Sequence, residues 1–290
     1  MVKGKVLPID YLQNLSRSIL ESTNASEIEE KLRIVLKYYG IINFNLGYAL
    51  PYWRGRICAS SDGFKNIKEL SYPPQELTKA GRLNEPRAPL LYLSMNNLTT
   101  LAEINASKGN YVHSIAYKII GKNKLRCGIF GEITHVARSG RALISEELGN
   151  HLNRILNNTE YEAGKSFVFT DAFLSSILRD RNASKTNYIH SRTLAKLIFE
   201  KHPGFDAIVY PSFALESAMN LAMKPESADR LLKIFGTSVM RIRKKYDYGI
   251  FDFELLRNAK GYERNGDIRW DEKFEPISSP RKVSSGDHNT

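Results

Sequence analysis

Apolar residues recur every three or four positions through the first forty residues, which is the spacing of amphipathic helices. The pattern predicts two helices, over Tyr11–Leu20 and Ala25–Tyr39. Either Asn24 or Ser26 is suited to cap the second helix, because their side-chain oxygens can accept from free backbone N–H groups. Gly40 then ends it. We expect this pair of helices to form an N-terminal extension packed on the rest of the chain.

The remaining sequence mixes strand and helix patterns without the regular alternation of βαβ units. The region 41–61 is aromatic and rich in β-formers, and five further runs predict strands: Pro89–Ser94, Tyr111–Ile120, Cys127–Thr134, Phe205–Ser212 and, as the last strand, Tyr248–Leu256. Four segments predict helices: one that Asn96 or Asn97 caps and that runs to Ile104, then Leu143–Leu156, Ala172–Leu178 and Thr193–Lys201. This irregular order predicts an α+β fold.

The composition is that of a globular chain, with 42% hydrophobic and 25% charged residues, so a core large enough to enclose a small ligand is expected. No run of 18 or more apolar residues predicts a membrane span. The apolar stretch of a signal peptide is also missing near the N-terminus, so we expect a cytoplasmic protein. Cys58 and Cys127 lack metal-site spacing and are predicted to be reduced thiols.

The net charge of +11 favours anionic partners: a nucleic acid, a dinucleotide or an acidic protein. The densest cationic run is Arg241, Arg243, Lys244 and Lys245. We interpret it as a solvated helix end, with a nucleic-acid-binding patch as the alternative. The glycine-rich cradles of dinucleotide-binding and phosphate-loop proteins are absent from the sequence, as are His-Glu-x-x-His and Cys-x-x-Cys metal motifs. We therefore predict no metal site.

Three segments contain candidate functional residues: Gly81-Arg82-Leu83-Asn84, then Leu91-Tyr92-Leu93-Ser94 leading through Thr99-Thr100-Leu101-Ala102 to Glu103, and Tyr210-Pro211-Ser212. Each residue has an ordinary explanation when taken alone. Arg82 would be a surface arginine, Tyr92 a core residue and Glu103 the exposed side of a helix. Ser212 would be a turn or cap residue. No function follows from any one of them.

In combination, the order and spacing of these segments resemble the RES domain family, named for its arginine, glutamate and serine. Arg82, Glu103 and Ser212 match those three residues. The resemblance extends upstream to the segment 52–56, Tyr-Trp-Arg-Gly-Arg, and downstream to 220–225, Asn-Leu-Ala-Met-Lys-Pro. It covers the chain from about Tyr52 to Tyr246.

The resemblance implies a split β-sheet core similar to that of ADP-ribosyltransferases, with flanking helices. We accordingly expect an N-terminal helical extension over residues 1–45, a catalytic domain over 46–275 and a disordered tail over 276–290. Family members are mostly bacterial toxins of toxin–antitoxin pairs. The resemblance therefore implies an enzyme that cleaves the nicotinamide–ribose bond of NAD by phosphorolysis or hydrolysis and depletes NAD. A cognate protein antitoxin is the expected partner.

The resemblance also implies roles for the charged residues. Cleavage of the nicotinamide–ribose bond creates a cation on the ribose, and a carboxylate beside it stabilises that charge, which is the role expected for Glu103. A guanidinium group suits a pyrophosphate because it donates two parallel hydrogen bonds. Arg82 is the expected pyrophosphate ligand, with help from Arg54 or Arg56.

Tyr92 is expected to stack on nicotinamide, and Ser212 to hydrogen-bond the ribose or the nicotinamide amide. NAD is a substrate in this interpretation, so no resident cofactor is expected, and inorganic phosphate could serve as a second substrate. One alternative is a mono-ADP-ribosyltransferase that modifies a protein through the same pocket. Another is a basic nucleic-acid-binding protein or ribonuclease toxin, although the sequence has no recognised nucleic-acid-binding motif. Oligomeric state is left open.

Overall fold

A computed structural model describes residues 6–47 and 49–279. The described residues contain eight α-helices: α1 (Ile9–Glu21), α2 (Ala25–Tyr38), α3 (Asn97–Glu103), α4 (Glu132–Ser139), α5 (Glu146–Asn157), α6 (Tyr161–Leu178), α7 (Ile189–Lys201) and α8 (Pro225–Leu231). They also contain eleven strands: β1 (Ile42–Leu46), β2 (Tyr52–Cys58), β3 (Leu91–Ser94), β4 (Tyr111–Ile119), β5 (Leu125–Ile129), β6 (Ala207–Pro211), β7 (Met219–Met223), β8 (Leu232–Lys245), β9 (Phe251–Tyr262), β10 (Ile268–Trp270) and β11 (Ile277–Ser279). The predicted α+β class is confirmed.

The strands form one mixed sheet in the order β1-β5-β6-β7-β3-β2-β4-β8-β9-β10, with β11 also paired to β9. Every neighbouring pair is antiparallel except β5 and β6. In the middle of the sheet, β2 and β3 are paired only between Trp53 and Ser94. The two halves therefore diverge on either side of that pair, and the gap between them is where the main candidate site lies.

The two predicted N-terminal helices are present, and sequence features explain their limits. The side chain of Asn24 accepts hydrogen bonds from the backbone N–H groups of Ser26 and Glu27, so Asn24 is the cap of α2. Ile28 and Leu32 are fully buried one turn apart. Helix α2 packs on α7 and α1 packs on α6, within the same hydrophobic cluster as the sheet. The expected domain boundary after residue 45 falls inside β1.

One predicted strand is wrong in its second half. The pattern predicts an extended chain throughout Cys127–Thr134, but β5 ends at Ile129 and α4 begins at Glu132. Gly131 lies between them with a φ of +86°, a left-handed conformation that glycine adopts without strain. The buried Asp171 carboxylate accepts from the backbone N–H groups of Gly131 and Thr134 and so satisfies the start of α4.

Two predictions near the C-terminus also need correction. The cationic run 241–245 lies on strand β8 rather than at a helix end. Strand β9 is followed by two more short strands, so it is not the last. The tail is predicted to be disordered from residue 276, but Ile277–Ser279 pairs with β9 as β11. The remainder of that predicted tail, 280–290, lies outside the described residues.

Three further observations bear on the expectations drawn from composition. Within the described part of the chain, no helix is both long and apolar enough to cross a membrane. The same residues contain no group of three or more histidine, cysteine or acidic side chains arranged to hold a metal ion. Cys58 and Cys127 are both free thiols, the first half-buried and the second buried.

Candidate active site

A cavity of about 310 Å³ opens where β2 and β3 diverge, and α3 forms one of its walls. Four of the six predicted site residues line it: Arg54, Arg82, Tyr92 and Glu103. Two larger grooves exist elsewhere, of 870 and 670 Å³. The cleft at the gap in the sheet is the one in which a carboxylate, two guanidinium groups and several aromatic rings converge, so its chemistry rather than its volume makes it the candidate site.

Glu103 is the last residue of α3, a helix whose start is fixed by the Asn96 side chain accepting from the Thr99 N–H. The Glu103 carboxylate receives two hydrogen bonds, and both arrive at Oε1. Ser212 donates one from its hydroxyl at 2.6 Å. Asn220 donates the other from its side-chain amide at 2.6 Å. Among the described residues, none donates a hydrogen bond to Oε2, which leaves that oxygen for a ligand.

Ser212 lies just after β6, and its hydroxyl has two functions. It accepts from the backbone N–H groups of Ala214 (3.0 Å) and Leu215 (3.1 Å), so it stabilises the turn that follows the strand. It also donates to Glu103. Ser212 is buried and does not line the cavity. The structure thus brings Ser212 and Glu103 together and places the serine behind the carboxylate, so the predicted contact of Ser212 with the ribose or the nicotinamide amide stays a prediction.

Asn220 contacts Glu103 and lines the cavity, although it is not one of the predicted site residues. It lies on β7, where all five residues are buried, so it caps no helix. Its Oδ1 accepts a hydrogen bond of 2.8 Å from the Ser94 hydroxyl, and Ser94 is its direct partner across the β3–β7 pairing. The one sequence signal is a polar residue within the mainly apolar segment 218–223, because an amide buried among apolar residues requires hydrogen-bond partners.

Arg82 lies in the cavity wall in a half-buried position, where several segments meet. Its Nη1 donates to the carbonyl oxygen of Asp180 at 2.7 Å and is 3.4 Å from that of Leu178, at the C-terminal end of α6. Its guanidinium carbon is 4.4 Å from the ring centroid of Phe213 and 6.0 Å from that of Tyr188. The described residues offer it no carboxylate partner. Protein atoms therefore contact one side of the Arg82 guanidinium, but no described acidic side chain neutralises its charge.

Tyr92 contributes its ring to the cavity, but its hydroxyl is already used. The hydroxyl donates to Asn84 Oδ1 at 2.8 Å and accepts from the Leu83 N–H at 2.9 Å. Burial raises the pKa of Tyr92 well above the usual tyrosine value. Gly81 makes this contact possible, because a Cβ at that position would lie 2.3 Å from Asn84 Oδ1. The glycine of the Gly-Arg-Leu-Asn turn is thus explained by close packing.

Arg54 is a deeply placed cation in the site. Its Nη1 is 3.4 Å from the carbonyl oxygen of Tyr92, and its buried Nε has no hydrogen-bond partner within the described chain. No ion pair to Arg54 is formed by the described residues. Burial lowers the pKa of its guanidinium group. Because an unpaired buried donor is costly, this Nε is a group in the cleft that would gain from a hydrogen-bond acceptor.

Arg56, the remaining predicted ligand, does not line the cavity. It lies further along β2 and is exposed, with its guanidinium 4.8 Å from the Phe64 ring centroid. It also donates to the backbone carbonyl of Glu69. These contacts hold the side chain outside the cleft, and help from Arg56 in binding pyrophosphate stays a prediction that the position of its side chain does not support.

Several aromatic side chains of the cavity are not among the predicted site residues. Tyr188 and Phe213 line it, as does Trp53. Tyr188 adopts a left-handed conformation, with φ of +58°, just before α7. Phe213 belongs to the turn stabilised by Ser212. Both Tyr188 and Phe213 lie in irregular segments that come near Arg82 only through the tertiary fold, so no local pattern could identify them.

Two of the four cations in the run on β8 form ion pairs. Arg241 pairs with Glu254 at 2.7 Å, and Arg243 pairs with Asp252 at 2.8 Å, both across the β8–β9 pairing. These acidic partners reduce the positive potential that the sequence suggested. The run therefore gives little support to a nucleic-acid-binding surface.

Comparison with known proteins adds no family assignment: no protein-family model matches the chain and no curated protein matches it. The RES resemblance accordingly stays a prediction that depends on the residues quoted above.

Proposed function

We propose that this protein cleaves the bond between nicotinamide and ribose in NAD, with phosphate or water as the acceptor. The observation that carries the proposal is the Glu103 carboxylate, held at one oxygen by two donors and set in a cleft with two guanidinium groups that have no acidic partners among the described residues. A cleft of this kind suits a ligand with a cationic reacting end and an anionic centre. NAD has both.

The chemistry requires a negative charge beside the ribose. As the C1–N bond breaks, its electron pair leaves with nicotinamide, which becomes neutral, and positive charge develops on the ribose ring. Glu103 would stabilise that charge through Oε2 and accept a proton from the incoming nucleophile. In phosphorolysis, a phosphate oxygen bonds to C1 and gives ADP-ribose 1″-phosphate; in hydrolysis, water gives ADP-ribose.

The two arginines would divide the recognition of the diphosphate. Arg54 offers a buried Nε to which the described residues give no partner, and an anion would satisfy it. Arg82 offers the part of its guanidinium that is not donating to the end of α6. The rings of Tyr92, Tyr188 and Phe213 supply flat apolar surface on which nicotinamide could stack.

Transfer of ADP-ribose to a protein is an alternative outcome of the same chemistry, because the carboxylate and the arginines would act identically. The wider interpretation, a bacterial toxin restrained by a protein antitoxin in the cytoplasm, rests on the RES resemblance. Direct nucleic-acid binding is less well supported, since Arg241 and Arg243 are ion-paired on β8.

The test is incubation of purified protein with NAD, with and without phosphate, and mass spectrometry of the products. Glu103→Gln should lower turnover at least about 100-fold, the loss typical when a charge-stabilising group is removed. Glu30→Gln, an exposed position on α2, is the matched control and should behave as wild type. ADP-ribose 1″-phosphate would indicate phosphorolysis, and ADP-ribose hydrolysis. Intact NAD after incubation with wild-type protein would contradict the proposal.

A further inference from the structure

The Glu103 carboxylate is held by a relay that begins on a different strand. Ser94 on β3 donates to Asn220 Oδ1 at 2.8 Å, and Asn220 Nδ2 donates to Glu103 Oε1 at 2.6 Å. Ser94 is 5% exposed and Asn220 is 3% exposed. Solvent therefore has little access to the Ser94–Asn220 hydrogen bond, and water does not readily replace it.

We propose that Asn220, oriented by Ser94, is a positioning residue that fixes the Glu103 carboxylate with Oε2 free for the reacting ribose or nucleophile. This inference rests on the proposed function for its catalytic consequence. Asn220 also lines the cavity, as does Ser94, but the role assigned to it here acts through its contact with the Glu103 carboxylate.

The role of Ser94 follows from the two ends of an amide. An asparagine side chain can present either its oxygen or its NH₂ group to a neighbour, and only the NH₂ group can donate to a carboxylate. The carboxylate accepts only from the NH₂ group, and the Ser94 hydroxyl donates to the oxygen at the other end, so both ends of the amide have partners in this one orientation. Strand pairing places Ser94 directly opposite Asn220, so the relay is set by the β3–β7 register.

The need for such a relay follows from the position of Glu103. It is the last residue of a seven-residue helix, and glutamate has three rotatable side-chain bonds. Ser212 alone would fix Oε1 from one direction. The second donor, from Asn220, restricts rotation of the carboxylate about the Ser212 hydrogen bond. A misplacement of about 1 Å in a catalytic group can cost about 100-fold in rate.

The experiment compares Asn220→Ala and Asn220→Asp with wild type, and uses the exposed Asn123→Asp as a matched control. We expect Asn220→Ala to lower kcat by about 10- to 100-fold with KM changed less than about 3-fold. In Asn220→Asp, the carboxylate at position 220 faces that of Glu103 at neutral pH and cannot donate a hydrogen bond to it. In acid, the two carboxylates can share one proton, which restores a hydrogen bond to Glu103. Its turnover should therefore recover, relative to wild type, as the pH is lowered from about 8 to about 5.

A purely structural role would not produce that pH profile. A kcat of Asn220→Ala within about 2-fold of wild type, or an Asn220→Asp profile parallel to that of wild type, would overturn the proposal. Ser94→Ala should lower kcat in the wild-type background and have no further effect in Asn220→Ala, because Ser94 acts through the amide. Additive losses would overturn the part assigned to Ser94.

Failure of the proposed function is distinguishable from failure of this inference. If wild-type protein leaves NAD intact, thermal unfolding at about pH 8 tests the contact without activity. Asn220→Asp should lower Tm by a few degrees, because it places a second carboxylate against Glu103. Adding Glu103→Gln should remove most of that loss, because the double variant no longer has two carboxylates in contact. An equal Tm loss in both backgrounds would refute the Asn220–Glu103 contact.

Discussion

The hydroxyl of Tyr92 should be a structural group rather than a ligand contact, and Tyr92→Phe tests this directly. The substitution removes the hydrogen bond to Asn84 Oδ1 and the one from the Leu83 N–H. Asn84 is 6% exposed and Leu83 is 2% exposed, so water has little access to the groups left behind. The ring is retained, and with it the apolar surface of the cavity.

The size of the effect follows from those two lost partners. A buried polar group left without a partner costs roughly 1–3 kcal/mol of unfolding free energy. Asn84 Oδ1 and the Leu83 N–H both lose the same Tyr92 hydroxyl, so we expect a total loss of about 3 kcal/mol. For a chain of 290 residues the unfolding entropy is roughly 0.6 kcal/mol per kelvin. Tyr92→Phe should therefore lower Tm by about 5 °C.

The assay is differential scanning calorimetry of Tyr92→Phe beside Tyr248→Phe. Tyr248 is 94% exposed, so losing its hydroxyl should leave Tm within about 1 °C of wild type. Because the Tyr92 ring remains, KM for NAD should change less than about 3-fold. An unchanged Tm together with a large rise in KM would refute the reasoning and would make the hydroxyl a ligand contact.

Three other groups give separate predictions. Burial lowers the pKa of His113 from 6.5 to about 4, so the neutral ring contributes stability that is complete above pH 6.5 and lost as pH falls towards 4. The loss is at most about 3 kcal/mol, and His113→Gln should flatten the dependence of Tm on pH; an unaltered dependence would contradict this. Arg54→Met should raise KM for NAD at least about 10-fold while Tm stays the same or rises, because a buried unpaired charge is removed; calorimetry and initial rates check both. Asp171→Ala should destabilise by about 3–5 kcal/mol in denaturant unfolding, since the carboxylate accepts from two backbone N–H groups and two hydroxyls; a loss below about 1 kcal/mol would contradict it.

Features set by neighbouring residues could be predicted from the sequence. Helix α2 follows from the Asn24 cap and from the spacing of Ile28 and Leu32. Strand β3 follows from a short apolar run bounded by turn residues. The break between β5 and α4 could not be predicted in this way. The carboxylate that accepts from the backbone at the start of α4 belongs to Asp171, 40 residues away from Gly131. A pattern confined to the segment cannot include that partner.

The misassigned cationic run has a similar cause. On β8, Arg241 lies opposite Glu254 of β9, and Arg243, at a break in the register, forms an ion pair with Asp252 of the same strand. These acidic partners help to stabilise a charged strand. The sequence shows the charges of the run but not the register that pairs them. The candidate site is the extreme case: Ser212 and Asn220 lie 109 and 117 residues from Glu103, and only the family resemblance linked the serine to the glutamate before the fold was known.

The two arginines of the cleft differ in their contacts with the protein. The resemblance made Arg82 the main pyrophosphate ligand, but Arg82 donates to the Asp180 carbonyl just beyond α6, is 3.4 Å from the last α6 carbonyl, that of Leu178, and lies against Phe213. A cation at a helix C-terminus is favourable, so Arg82 stabilises this wall of the cleft even without a ligand. Arg54 makes one long hydrogen bond and has a buried Nε with no partner among the described residues. Loss of Arg82 should therefore impair both stability and binding, whereas loss of Arg54 should impair binding alone, and that contrast, measured as Tm beside KM for NAD, would mark Arg54 as the principal anion-binding group.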